Sequence, residues 1–182
     1  MGMAAPTYYT AEMVRRLPDD GNRYEVVYGE LLVTPAPRAW HQEVAARLFE
    51  GLRAYLRQYR VGHALVSPAD ISWGPDVLVQ PDVFVADLEE MRTLDWRRVK
   101  HLLLAIEVLS PTTSRADRFT KRRLYQEVGV PLYWIVDADL RQVEVWTPSA
   151  VFPRVESNRL EWRPVGAGEP FILELSELFR PI

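Results

Sequence analysis

The chain has 182 residues, 21.0 kDa, with 48% hydrophobic and 26% charged side chains; this is ordinary globular usage and excludes a disordered tail, a collagen-like repeat or a coiled coil as the main body. There is no cysteine and the formal net charge is −3, which excludes disulfides, a thiol nucleophile and thiolate zinc sites, and argues against a strongly basic nucleic-acid coat while leaving room for a local basic patch. The longest unbroken apolar run, residues 102–106, is far short of the roughly 18 residues of a membrane span, and no basic segment leads into a long apolar one at the N-terminus. A cytoplasmic protein without a membrane partner is the expectation. The length suits one domain over residues 1–182, with a core at about 41–147, a helix and hairpin in 1–40 and a β extension in 148–182.

In chain order, residues 7–17 are expected to form a short helix before the Pro18-Asp19-Asp20-Gly21 turn, and 24–34 a hairpin about Tyr28-Gly29, closed by Pro35-Ala36-Pro37. From His41 to Tyr59 the apolar Val44, Leu48, Leu52, Tyr55, Leu56 and Tyr59 recur at three and four residues, the period of an amphipathic helix. Three β-type runs follow, 64–66, 70–73 and 77–86, punctuated by Pro and Gly and suggesting a meander. Residues 102–109 are apolar on both faces except at Glu107, the pattern of a central strand. A helix over 115–128 is predicted next, with Ser114 and Asp117 spaced as a capping box and Gly129 and Pro131 as its stop. Strands at 132–136 and 143–146 flank an Asp137-Ala138-Asp139 turn, and 151–175 reads as further short strands.

The chemistry starts from charges placed where burial forbids them. Glu107, inside Leu-Leu-Leu-Ala-Ile-Glu-Val-Leu, must be paired, protonated or bound to a cation if both strand faces are covered; the plainer alternative is a strand end reaching water just before Ser110-Pro111. Asp82 is a second charge in an apolar run, and Pro81 before it cannot donate to a ladder, so an edge or bulge is expected there unless Asp82 merely forms a turn. Two carboxylates from neighbouring strands could converge on a hard cation such as Mg²⁺, which prefers oxygen ligands. On the helix, Lys121, Leu124, Tyr125 and Val128 share a face that Asp117 extends towards the N-terminus, so Lys121 points sheetward. Lys100 and Lys121 are the only lysines among 22 Lys and Arg side chains, so an inward lysine stands out; its plainer role is a snorkelling pair with Asp117.

Pro81-Asp82, Glu107-Val108-Leu109, Ser110-Pro-Thr-Thr-Ser-Arg-Ala-Asp117, Lys121-Arg-Arg-Leu-Tyr125 and Gly129-Val-Pro-Leu-Tyr-Trp-Ile-Val-Asp137 together resemble the PD-(D/E)XK phosphodiesterase superfamily. Within it they resemble the Uma-type restriction endonuclease-like branch, formerly a domain of unknown function. Arg23-Tyr-Glu-Val-Val-Tyr-Gly-Glu-Leu31 and His41 extend the likeness over about residues 20–150. The resemblance implies an α/β (α+β) fold with a restriction-endonuclease-like core, a mixed β-sheet flanked by helices. It further implies Asp82 and Glu107 as ligands of Mg²⁺ or Mn²⁺, with the Val108 carbonyl as a third. The superfamily's simplest motif would put lysine where this chain has Leu109; the branch takes it from the following helix, where Lys121 is the candidate. An acid on the first helix often assists the ion, a role for which Glu43, with His41 beside it and Glu30 further off, are the candidates.

The implied reaction is hydrolysis of a phosphodiester in nucleic acid, DNA being the expected form, by Asp82, Glu107 and Lys121. Phosphate contacts would come from Arg115, Arg118, Arg122 and Arg123, with Arg97, Arg98 and Lys100, unless these are simply the solvated face of an Arg-rich chain. A homodimer would bring two sites to two strands. The rival of another class is a catalytically silent nuclease-fold binding or assembly module, against which three inward charges count. A two-carboxylate glycoside hydrolase leaves Lys121 without a task. Trp40, Trp73, Trp96, Trp134, Trp146 and Trp162 serve either base stacking, an interface or the core.

Overall fold

A computed structural model describes residues 8–182. The first helix is α1 (Ala11–Arg15), shorter than the sequence suggests, because Thr10 caps it by accepting a hydrogen bond from the Met13 N–H. Residue 7, where the sequence places its start, lies outside the described residues. β1 (Arg23–Val27) and β2 (Glu30–Thr34) form the expected hairpin. Its two-residue turn has both Tyr28 and Gly29 at positive φ, 53° and 79°, the mirror-image turn whose twist suits adjoining strands. α2 (Ala39–Tyr59) buries Val44, Leu48, Leu52 and Leu56, the stripe that the spacing predicts.

Beyond α2 no meander forms. β3 (His63–Val66), β4 (Ile71–Gly74), β5 (Val77–Val79) and β6 (Val83–Ala86) divide between two sheets: β5 pairs with β1 and β4, whereas β6 pairs with β3 and, after the short α3 (Leu88–Met91), with β7 (Leu102–Val108). The single strand expected over 77–86 is therefore cut at Gln80-Pro81-Asp82, where Pro81 has no N–H to offer a ladder. Asp82 stands at the crossing from one sheet to the other, not on a bulge; the register irregularity of β6 against β7 falls at Val85 and Ala86.

Residues 114–127 are continuously helical, a π-helical stretch Ala116–Lys121 running straight into α4 (Arg122–Glu127). No capping box forms. The Ser110 carbonyl accepts from the Thr113 and Ser114 N–H groups, so the turn starts before Ser114, and Asp117 is carried inward. β8 (Tyr133–Asp137) then lies parallel to β7, and β9 (Gln142–Trp146) and β10 (Arg154–Glu156) add antiparallel strands. The six-stranded sheet runs β10-β9-β8-β7-β6-β3, the four-stranded one β2-β1-β5-β4, and β11 (Arg159–Trp162) with β12 (Phe171–Glu174) makes a separate pair before α5 (Leu175–Leu178).

The mixed sheet flanked by helices, with β elements at both ends, is the fold class that the sequence leads one to expect. β7 occupies its middle. On one face Leu104, Ile106 and Val108 pack with the α2 stripe and the β11–β12 pair. On the other, Ala105 packs with Phe84, Tyr133, Leu124 and Tyr125. Trp134, Trp146 and Trp162 are buried in these cores, and Trp40, Trp73 and Trp96 pack partly against them. No helix among the described residues is long and apolar enough to cross a membrane.

Candidate active site

Alternation along β7 puts Glu107 on the same face as Ala105, towards the π-helical segment and away from α2. It is 1% exposed, so its charge needs a partner. The Lys121 ammonium provides one, 3.0 Å from Glu107 Oε1, and the Tyr125 hydroxyl donates to the same oxygen at 3.3 Å. Lys121 is itself 1% exposed and lies 2.8 Å from Glu25 Oε2 and 3.5 Å from Asp117 Oδ1. Asp117 is thus a buried neighbour of the lysine, not a capping residue. The wider turn of the π-helical segment runs from Ala116 to Lys121 and carries both charged side chains.

Glu25 lies inside the Arg23–Leu31 stretch that extends the resemblance, but it is not among the site residues expected from the sequence. It is fully buried in β1 and its Oε1 accepts from the Gln80 N–H at 2.6 Å, which ties β1 to the chain just before the Pro81 break. The available signal is its parity: Glu25 shares a strand face with Val27, a core residue. Arg23, at the head of that stretch, shares the face and is likewise not among the expected site residues. Its Nη1 donates to Asp82 Oδ1 at 2.7 Å, while its Nε lies 3.8 Å from Glu25 Oε2, so one guanidinium joins the two carboxylates.

Asp82 is held on every side. Its Oδ2 accepts from the Val108 N–H at 2.8 Å and stands 3.1 Å from His41 Nε2. Ser67 fixes the backbone beneath it, its hydroxyl 2.8 Å from both the Gln80 and Pro81 carbonyls. Burial works to raise Asp82, but the His41 hydrogen bond and the Arg23 charge outweigh it and hold the carboxyl well below the usual range. Glu107 goes the other way: burial raises it, Lys121 opposes, and Asp82, Asp117 and Glu25 add repulsion. Asp117 is raised for the same leading reason, burial. Lys121 stays an ammonium, since Glu107, Glu25 and Asp117 overcome the burial that would discharge it.

Asp82, Glu107, Val108, Lys121 and His41 are therefore brought together, and the other candidates are not. Glu43 turns away to pair with Arg47 at 2.7 Å, on a different side of α2 from His41; Glu30 is exposed on β2. Arg115 is exposed, whereas Arg118 and Arg122, expected to meet solvent and phosphate, are engaged within the protein. Arg118 binds Glu144, Asp137 and Ser114, and Arg122 lies over the Trp146 ring, 4.7 Å from its centroid.

The donor set suits a divalent cation in charge and chemistry. Glu25, Asp82, Glu107 and Asp117 bring four carboxyl groups against two permanent cations, Arg23 and Lys121, and the buried Asp117 Oδ1 accepts no hydrogen bond. The present geometry spends most of the other carboxyl oxygens on protein donors. Among the described residues no three His, Asp or Glu side chains form a ready ion cage.

A family model named Uma2, described as putative restriction endonuclease, matches residues 11–174. The chain belongs to the Uma2 family. The Uma2 match extends beyond the residues 20–150 that carry the resemblance in sequence, taking in α1 and the β11–β12 pair. Among solved structures, a putative nuclease belonging to DUF820 from Anabaena variabilis is 22% identical and superposes with a TM-score of 0.76, covering 94% of this chain and 97% of that one. This likeness establishes a shared fold. No curated protein sequence matches the chain.

Proposed function

We propose that this Uma2 protein is a metal-dependent endonuclease that hydrolyses phosphodiester bonds of nucleic acid, DNA being the expected form, as a cytoplasmic homodimer. The observation that carries the proposal is one network at the end of β7: Asp82 accepts from the Val108 N–H beside Glu107 and shares Arg23 with Glu25, which pairs with Lys121, itself bound to Glu107, next to a cleft that Asp82 and His41 help to line. Buried acids with a specific cationic partner beside a cavity mark a candidate reactive site.

In this reading Asp82 and Glu107, with the Val108 carbonyl, would hold Mg²⁺ or Mn²⁺. Such an ion would supply Lewis acidity and a water of lowered pKa. Lys121 keeps its proton and, buried against Glu107, Glu25 and Asp117, supplies a fixed positive charge beside the carboxylates of the site. Arg23 and the Val108 N–H hold the Asp82 carboxylate in one orientation, and preorganisation of this kind removes a rearrangement from the reacting step. Tyr125 and Lys121 do the same for Glu107.

The second reading, a catalytically silent nuclease-fold binding module, is favoured by one observation: the carboxylates are already satisfied by internal ion pairs. Supercoiled plasmid with Mg²⁺ or Mn²⁺ separates the two. Nicking by the wild type, reduced about a hundredfold or more in Asp82→Ala, supports the endonuclease. Equal behaviour of the two proteins, or calorimetry in which neither takes up Mn²⁺, supports the silent module.

A further inference from the structure

The cleft that reaches Asp82 and His41 has a volume of about 710 Å³, within the roughly 300–1,000 Å³ of pockets that enclose a small molecule. Its walls are mostly apolar. Gln42, Ala45, Ala46 and Phe49 line it from one flank of α2, and Tyr24 contributes a second aromatic ring from β1. Ala45 and Ala46 keep this flank low beside the core stripe, which is what leaves room for a ligand, while Phe49 packs on one side against the core with Arg53 over its ring, 5.7 Å from the centroid. None of the tryptophans lines it.

The surface offers a contrast. Duplex DNA is held chiefly by neutralising phosphates along its length, yet near α4 Arg118 and Arg122 are committed to protein partners, and Arg123 pairs with Glu127 and lies over Tyr28. The net charge is −3. A single strand needs less charge, because its bases stack on aromatic side chains irrespective of sequence. We propose that the cleft receives an unpaired nucleotide of a single-stranded nucleic acid, the base against Phe49 and Tyr24 and the phosphate at the end that holds Asp82. This deepens the phosphodiesterase reading and rests on it for the fate of the bound strand.

The test measures binding, so that it stands apart from cleavage. Fluorescence anisotropy in Ca²⁺, which can bridge phosphate and carboxylate, compares a labelled single-stranded oligonucleotide with the same sequence as a blunt duplex, in DNA and RNA forms to distinguish the two sugars. The single strand is expected to bind about tenfold or more tightly than the duplex. Ala46→Trp, at an exposed position that fills the cleft, is expected to weaken that binding about tenfold; Phe49→Leu, which keeps an apolar side chain but removes the ring, should act in the same direction. Melting curves identify a variant that has not folded, in which case the other decides. Duplex binding as tight as single-strand binding, or single-strand binding unchanged in folded variants, overturns the proposal. A protein that never cleaves but binds single strands through the cleft would end the nuclease reading alone; one that cleaves duplex and ignores both substitutions would end this proposal alone.

Discussion

The two faces of β7 are built on opposite principles. Towards α2 it presents Leu104, Ile106 and Val108 to a layer of Val44, Leu48, Leu52, Trp134 and Val136 that is apolar apart from the unpartnered Trp134 indole N–H. Towards the π-helical segment the same strand presents Glu107 to Lys121, and around that pair lie Glu25, Asp117, Asp82 and Arg23. The first face gains stability from removing apolar area from water, a term indifferent to direction. The second has to satisfy each charge with a particular partner, and gains little net stability from doing so. A fold that carries such a cluster in its interior gives up stability there for geometry, and relies on the apolar face to offset the cost.

Lys121→Ala gives the sharpest break in this comparison. It leaves Glu25, Glu107 and Asp117 buried without the cation they share, and a loss of about 3–5 kcal/mol in urea unfolding is expected at neutral pH. The loss should shrink as the pH is lowered. Glu107 and Asp117 are raised chiefly by burial, so the folded chain takes up their protons before the unfolded chain does, and stability rises towards acid. An unchanged unfolding midpoint would show that the cluster is not closed by Lys121 at all.

Leu48→Ala probes the opposite face. Leu48 is fully buried in the α2 stripe, and about 3 kcal/mol should be lost to the missing contacts and the cavity left behind. Here no pH dependence accompanies the loss, because no titrating group faces the site of substitution in that apolar layer. A pH slope like that of Lys121→Ala would mean that the two faces are coupled.

Glu107→Gln separates chemistry from stability on the charged face. The folded-state pKa of Glu107 lies above its ordinary 4.5, so its contribution to stability is complete below that value and is lost as the pH rises through the folded-state value. The amide cannot titrate, and the variant should show a flatter stability profile above pH 4.5, with a change within about 1 kcal/mol at neutral pH because Lys121 keeps Glu25 and Asp117. Plasmid nicking should nevertheless fall about a hundredfold. Retained nicking would remove Glu107 from the proposed chemistry while leaving its structural account intact.

The same two principles explain what the sequence could disclose. The α2 stripe, the β1–β2 hairpin and β7 follow from periodicity, which registers one bit per residue, apolar or polar, and suits a face held by apolar area. Glu107 and Lys121 were legible as exceptions to that periodicity. Glu25 was not, because a lone acid in a short hairpin strand is ordinarily solvated, and only the covering of β1 by the rest of the fold makes it internal. Ser114 and Asp117 have capping-box spacing, which hides the inward role of Asp117, because the turn begins at Ser110 instead. The division of 77–86 between two sheets depends on long-range pairing of β5 with β1 and β6 with β7, for which Pro81 gives the place but not the consequence.

Glu43 supplies the smallest expected effect. It sits on α2 two residues beyond His41, yet a helix turns by roughly 200° over that interval, and where His41 reaches Asp82, Glu43 reaches Arg47. Its side chain is about a third exposed, and exposed i,i+4 pairs contribute only about 0.3–0.5 kcal/mol. Arg47 keeps its hydrogen bond to the Leu178 carbonyl without it. Glu43→Ala should therefore shift the unfolding free energy by no more than about 0.5 kcal/mol and leave plasmid nicking at the wild-type level. A loss of nicking comparable to that of Glu107→Gln would require Glu43 to swing from Arg47 towards Asp82, and would place on the apolar-stripe helix a charge that the comparison of the two faces assigns to solvent.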